Sequence, residues 1–228
     1  MSSEAGNVAK PRSSGRPPGD TGDRTRGAIL DAALEMFATV GFDAMSVREL
    51  TRQLGVSHNL VHHHFGTKEE LWRAAIDHGM GPAAEDWAAL LDRSVGSPRS
   101  PEVLREVIEG GVALLAERPQ LARILTDESS RPGSRLDYLY ERYVGPILEI
   151  LGRFLGESRA FGVRDVDSRV AALFVLSTVS AHLTHDALAA KLGFGSSSEY
   201  AAALVELVLG GLVEAAPRSA AADAAAGE

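Results

Sequence analysis

Between residues 23 and 215 apolar side chains recur three and four positions apart, and strict alternation is nearly absent. That pattern predicts an all-α chain. A first helix is expected over residues 23–40, with Ile29, Leu30, Ala33, Leu34, Phe37 and Ala38 on one face and Gly41 as the left-handed residue that closes it. Ser46-Val47-Arg48-Glu49 has the spacing of a capping box and opens a short second helix to about Leu54. Gly55-Val56 makes a tight turn, and Ser57 caps a third helix of under two turns, broken at Phe65-Gly66. Thr67-Lys68-Glu69-Glu70 is a second capping box, opening a longer helix with Leu71, Trp72, Ala75 and Ile76 inward.

Longer helices are predicted over 102–117, just after Pro119, over 135–155, over 167–192 and over 198–214. The third of these carries Leu136, Leu139, Tyr143, Ile147, Ile150 and Phe154 on one face, and Gly145-Pro146 inside it predicts a kink. The last two are apolar on most sides, so they are either central or meet a partner. Residues 1–22 are rich in Ser, Gly and Pro without an apolar period and read as a disordered arm; residues 216–228 read as a loose tail.

Composition narrows the chemistry. The 228 residues contain no cysteine, which excludes a disulfide scaffold, a zinc ribbon and a thiolate nucleophile. The net charge of −8 argues against coating nucleic acid through bulk positive charge, but not against a small local reading head. Residues 1–80 hold 9 Lys and Arg against 10 Asp and Glu, whereas residues 81–228 hold 14 against 21, so the acidic surplus lies outside the N-terminal third. The N-terminus lacks the apolar segment of a signal peptide. The longest apolar stretch, 170–183, is interrupted by Ser177, Thr178, Ser180 and His182 and falls short of the roughly 20 apolar residues a membrane span needs. The expectation is a cytoplasmic protein with no membrane partner.

Residues 46–65, SVRELTRQLGVSHNLVHHHF, describe a helix, a glycine turn and a second short helix, each capped by serine. Val47, Leu50 and Leu54 pack the first helix inward, and Val56 and Val61 the second. That is a helix-turn-helix whose second member has the length to enter a major groove, with His58, Asn59, His62 and His63 as its exposed donors and acceptors. The His62-His63-His64 run does not make a metal site: successive helical residues point about 100° apart, and the pairs His58/His62 and His182/His185 lack further ligands, so no metal is expected. No Gly-x-Ser-x-Gly elbow or phosphate-binding glycine loop is present, and neither an enzyme nor a cofactor is expected. Gly110-Gly111 and Gly210-Gly211 fall within helical patterns and read as close helix contacts.

Residues 24–72 resemble the DNA-binding domain of TetR-type transcriptional repressors. The resemblance is carried by Ile29 to Phe37, Gly41-Phe42, Ser46 to Leu50, Gly55-Val56-Ser57 and His64-Phe65-Gly66-Thr67-Lys68-Glu69-Glu70-Leu71, in order and at the family's spacing. Thr51 stands where the family usually has Ala, and His62 and His64 where it usually has Tyr. The resemblance implies an N-terminal three-helix reading domain (residues 23–72) and a larger helical ligand-binding and dimerisation domain (73–215). It also implies DNA-contacting roles: Ser46 and Ser57 offering helix N-termini to phosphates, Arg48 reaching a phosphate or nearby base, His62 meeting a phosphate, His58, Asn59 and His63 facing base edges, Lys68 clamping another phosphate, and Arg24 and Arg26 following the minor groove or backbone. For the helical body it implies a cavity for an unknown small-molecule effector. Trp87, Tyr138, Tyr143 and Phe154 are candidates to line it, with Arg123, Thr126, Asp127 and His182 to fix the ligand; core packing is the other reading of the aromatics. The expectation is a ligand-responsive repressor, homodimeric through its last two long helices, bound to palindromic double-stranded operator DNA. The rival expectation is a helical small-molecule-binding protein without operator-specific DNA binding.

Overall fold

The computed structural model describes residues 18–95, 101–184, 190–193 and 197–212. The order of elements is α1 (Pro18–Ala44), α2 (Val47–Leu54), α3 (His58–Phe65), α4 (Lys68–Ser94), α5 (Pro101–Ala116), α6 (Pro119–Glu128), α7 (Ser134–Leu139), a π-helical turn (Tyr140–Val144), α8 (Gly145–Ser158), a 3₁₀ turn (Arg159–Phe161), α9 (Ser168–Thr184) and, last, α10 (Ser197–Leu212). The chain is all-α, as its periodicity predicts.

The local signals act as expected at most helix ends. Ser46 Oγ accepts from Glu49 N at 3.4 Å and Ser57 Oγ from Leu60 N at 3.2 Å, satisfying donors that a helix start leaves orphaned. Thr67 and Glu70 close a full capping box, with Glu70 N donating to Thr67 Oγ1 at 3.1 Å and Thr67 N to Glu70 Oε2 at 2.7 Å. The box at Ser46 is only half made, because Glu49 turns its carboxylate to Arg52 instead. α1 differs from expectation at its start, since helix already begins at Pro18 rather than residue 23. Near its other end Gly41, at φ 77° and ψ 168°, breaks the helical course and is followed by a last turn to Ala44.

The long helix predicted over 135–155 becomes three pieces. Pro146 has no N–H to give the carbonyl four residues back, and the backbone widens just before it: Gly145 N donates to the Tyr140 carbonyl, a π-type bond. α4 instead passes through Pro82 without interruption from Lys68 to Ser94. Pro82 denies the His78 carbonyl a donor, and the Arg118 guanidinium donates to the next carbonyl, Gly79 O. Gly79 is also where three helices meet. A Cβ there would lie 2.7 Å from Leu34 of α1 and 3.2 Å from Leu121 of α6.

Two cores result. The first gathers Ile29, Leu30, Leu50, Val61, Leu71, Trp72 and Ile76 from α1–α4, and continues into Leu121, Ile124 and Leu125 of α6, Leu139 of α7 and Tyr143. The second joins Leu91 at the far end of α4 to Val107, Val112, Leu151, Phe154, Leu204 and Val208 of α5, α8 and α10. Between α6 and α7, Glu128 is buried and held by Arg135 Nε at 2.7 Å. The same guanidinium lies 3.9 Å from the centroid of the Phe42 ring, tying the end of α1 to α7.

Gly41 offers a clean test of this framework. A Cβ added there meets nothing nearer than Asp127 Oδ2 at 3.7 Å, so the penalty is backbone strain alone. Gly41→Ala is expected to lower unfolding stability by about 1–3 kcal/mol, read from urea midpoints. An unchanged midpoint would show that α1 does not need this conformation.

Candidate nucleic-acid interface and adjoining cavity

α2 and α3 are held by a small set of buried side chains. Leu50, Thr51, Val61 and Phe65 face inward, and Gly55, in the left-handed region at φ 65°, turns the chain between the two helices. Thr51, the departure from the family's Ala, is 5% exposed and donates its hydroxyl to the Arg48 carbonyl at 2.9 Å. Its polar atom is therefore satisfied within its own helix.

Burying Val61 and Phe65 turns His58, Asn59, His62 and His63 outward, and all four are exposed. Ser46, Arg48 and Ser57 are exposed on the flanking caps. Arg26 lies against α3, its guanidinium 5.4 Å from the Phe65 ring centroid, and Arg24 is exposed two residues earlier on α1. Lys68 is half-buried: its ammonium donates to the Asp43 carbonyl at 3.2 Å and sits 4.6 Å over the Phe42 ring. His62 Nδ1 lies 2.8 Å from the Gly66 carbonyl. His62, His58 and Lys68 line one small surface hollow with Val47, Val61, Gly66, Thr67 and Leu71. The ten sequence-selected residues thus fall on one N-terminal unit, seven of them on or beside α2 and α3.

The candidate ligand residues divide. Trp87, Tyr143 and Phe154 line one partly open cavity of about 340 Å³, bordered mainly by α4, α5, α8, α9 and α10, with Leu125 of α6, Leu136 of α7 and Tyr140 of the π-helical turn at its edge. Its walls are almost wholly apolar, with Met80, Leu104, Ile147, Leu151 and Val208 among them. Arg123, Thr126 and Asp127 are not there. They line a separate surface cleft against the end of α1, because Leu121 and Leu125 take the inward face of α6 and leave positions 123, 126 and 127 on another side. Asp127 pairs with Arg131 at 3.1 Å, and Thr126 donates to the Ala122 carbonyl at 2.8 Å. Tyr138 is also outside the cavity, edge-on to Trp72 at 6.0 Å between centroids. The side chain of His182 lies outside the described residues.

Sequence reasoning missed Asp77. The hydroxyls of Tyr138 and Tyr143 both donate to its Oδ1 at 2.6 Å, so one carboxylate on α4 holds a cavity-wall tyrosine and its neighbour. The available signal was a lone carboxylate beside the inward Ile76 and Met80 stripe. Gly110 and Gly111 do make the close contact expected of them, since a Cβ on either would meet the Trp87 ring at 3.0 or 2.7 Å. Trp87 Nε1 donates to the Val107 carbonyl at 3.0 Å. Gly210 and Gly211 instead face open space.

A capped helix-turn-helix with an exposed polar row on its second helix is the arrangement of a helix-turn-helix DNA-binding motif. Residues 29–75 match the family model "Bacterial regulatory proteins, tetR family". Over 51 residues the chain is 47% identical to the HTH-type transcriptional repressor Rv3405c of Mycobacterium tuberculosis and 45% identical to the HTH-type transcriptional regulator BetI of Rhizobium meliloti. Each match covers 22% of this chain and about a quarter of the relative, 27% and 25% respectively. Across most of its length the fold is similar to that of a putative fatty acid metabolism regulator of Clostridium perfringens (TM-score 0.64, 20% identity, 82% of this chain and 100% of that one). It is similarly close to the ketosteroid transcriptional regulator KstR2 of Mycobacterium tuberculosis (TM-score 0.62, 21% identity, 84% and 96%). Residues 29–75 thus match a tetR-family DNA-binding domain, and the rest of the described chain is an all-α body. Among the described residues no helix is long and apolar enough to cross a membrane.

The Asp77 arrangement gives a titration to look for. Burial and the hydrogen bond to the Asp77 carboxylate push the Tyr138 phenol up to about 12, and the same causes raise Tyr143. A raised folded value means the stabilisation is fully present below the unfolded value near 10 and is lost as pH rises through the folded one. Absorbance at 295 nm is expected to show at least two of the four tyrosines ionising only above about pH 11, Tyr200 being raised as well by its own burial, with loss of helical signal in the same range. Ionisation of all four near 10, with the fold intact, would show that Asp77 does not engage them.

Proposed function

We propose that the protein is a homodimeric transcriptional regulator, acting as a repressor that releases a palindromic operator when a small molecule enters the cavity. It is not an enzyme, and it works in the cytoplasm where the DNA is. The observation that carries this reading is the row His58, Asn59, His62 and His63, exposed on a recognition helix whose other face is buried in a tetR-type core. Asn59 suits adenine, and His58 and His63 suit base edges; Arg48, His62, Lys68 and the serine-capped helix starts suit phosphates. Residues 23–72 form the reading domain and residues 73–215 the ligand-binding and dimerisation domain.

Two further observations support the finer parts. Tyr143 lines the cavity and is bonded to α4 through Asp77, and Met80 of α4 lines the cavity itself, so an occupant touches the helix that also enters the reading domain's core. The segment Gly79 to Pro82, with its missing backbone donor, is the hinge of this reading. The dimer face is supported by apolar residues left exposed on the last two helices: Val170, Leu173 and Phe174 on α9 and Leu207 on α10, at 62, 63, 46 and 65% exposure. Gly210 and Gly211 leave the open space there that close approach of a second copy needs.

Fluorescence anisotropy with the DNA upstream of the protein's own gene tests the reading. Saturable, strongly salt-dependent binding is expected, and its absence would overturn it. On a panel of operator variants, Asn59→Ala is expected to relax base preference at one position, at roughly 1–3 kcal/mol, while Lys68→Ala weakens all variants alike and lowers the salt slope by about 1. Sedimentation at micromolar concentration is expected to give twice 24.1 kDa. Leu173→Glu with Leu207→Glu is expected to return it to a single copy and to abolish operator binding.

A further inference from the structure

We propose that the cavity takes an uncharged, predominantly hydrocarbon molecule carrying a single hydrogen-bonding group, which the Tyr140 hydroxyl meets at the rim. This rests on the ligand-responsive reading above and names the class of ligand. In the described cavity wall nearly every polar side-chain atom is already engaged. Trp87 Nε1 is used by the Val107 carbonyl, Ser129 Oγ by the Leu125 carbonyl at 2.6 Å, and the Tyr143 hydroxyl by Asp77. Arg169 is the charged group in the described lining, and Asp167 takes it through both Nε, at 3.0 Å, and Nη2. That pairing holds the Asp167 carboxyl down at about 2, so the two stay mutually neutralised over the working pH range. Tyr140 alone in the described lining offers a hydroxyl with no hydrogen-bond partner, and it is 54% exposed.

Among the described residues a charged ligand would lose its water and meet only Arg169, already engaged by Asp167, whereas a hydrocarbon body loses nothing by entering. At protein packing density about 340 Å³ holds roughly 15 non-hydrogen atoms. The probes are therefore 1-dodecanol, dodecanoate and dodecylammonium, each below its micelle concentration. Isothermal titration of the full chain at pH 7.5 is expected to show 1-dodecanol binding at least about tenfold more tightly than either ion. Tyr140→Phe is expected to weaken 1-dodecanol about three- to tenfold. Ala172→Phe and Ala84→Leu, which fill the cavity from α9 and α4, are expected to abolish binding with helical content retained; two variants are used so that one that misfolds leaves the other. Equal or tighter binding of dodecanoate or dodecylammonium overturns the proposal, as does failure of all three probes, or binding that survives in whichever filled variant folds. None of these readouts involves DNA, so failure of operator binding is a separate result.

A different observation carries a second inference. We infer that operator binding takes up a proton at His62. The Gly66 carbonyl, 2.8 Å from His62 Nδ1, can only accept, so Nδ1 carries the hydrogen and the outward Nε2 of the neutral ring carries a lone pair. A phosphate oxygen is also only an acceptor. The neutral ring therefore has nothing to give it, and the protonated ring presents an N–H. The groups facing His62 are His58 one turn back on α3, Lys68 at the start of α4, and the Glu70 carboxylate; α2 contributes only Val47 to the shared hollow. An arriving phosphate adds negative charge and favours the added proton, which is the source of the coupling.

The affinity for the operator is expected to fall about three- to tenfold from pH 6 to pH 8 at constant ionic strength. His62→Tyr, whose hydroxyl donates at both pH values, is expected to flatten that slope while keeping binding. His62→Phe is expected to bind at pH 6 no better than the unaltered protein does at pH 8. A pH-independent affinity of the unaltered protein overturns the inference, and so does the same slope in His62→Tyr, which would assign the proton to His58, His63 or His64. Absence of operator binding at every pH would instead overturn the DNA-binding reading on which the inference rests.

Discussion

Leu71, Trp72, Ala75 and Ile76 at one end of α4 are buried among α1–α3, while Leu91 at the other end is buried with α5, α8 and α10. One unbroken helix thus belongs to two cores, and neither core can reposition it without disturbing the other. The weak point lies between them. Pro82 removes a backbone donor, and Gly79 lets α1 and α6 press against the helix. Arg118, reaching from the α5–α6 connection to the Gly79 carbonyl, supplies a donor at that weak point. How α1–α3 sit on the rest of the chain depends on how these few groups hold the middle of α4.

The joint is reinforced from the side by charge. Glu128 is buried, and a carboxylate taken out of water is tolerated because Arg135 meets it directly. Arg135 also lies over Phe42, whose ring carries the Lys68 ammonium as well, so the end of α1, the start of α4 and the start of α7 share one cluster of cations around an aromatic ring. Its strength comes from being desolvated, unlike the exposed Arg52–Glu49 pair, which the solvent screens.

How legible this was depended on distance along the chain. Helix starts were readable because a cap and its acceptor lie three residues apart, as at Ser57 and Leu60. The exposed face of α3 was readable because burying Val61 and Phe65 dictates what points away. The cavity was legible only in part. Trp87, Tyr143 and Phe154 are large and lie on inward stripes, but the inward side of α6 is not separable from its other polar positions without knowing where α1 runs, and Arg123, Thr126 and Asp127 line a separate cleft from those aromatics. Asp77 stayed invisible because its meaning comes from Tyr138 and Tyr143, more than sixty residues away. The kink at Gly145-Pro146 was foreseen in place but not in kind. A missing donor says that the helix must adjust, while the surrounding packing selects a widened turn.

The wedge of Trp87 against Gly110 and Gly111 has an optical consequence. The chain has two tryptophans, and they report on different halves of the molecule. Trp72 is 1% exposed in the core of the reading head, edge-on to Tyr138. Trp87 is half-buried in the cavity wall with its indole N–H fixed to a carbonyl. The protein therefore carries its own pair of fluorophores, one dry in the N-terminal core and one in the cavity wall. Their emission, resolved by quenching, separates changes at the cavity from changes in the N-terminal core without any label.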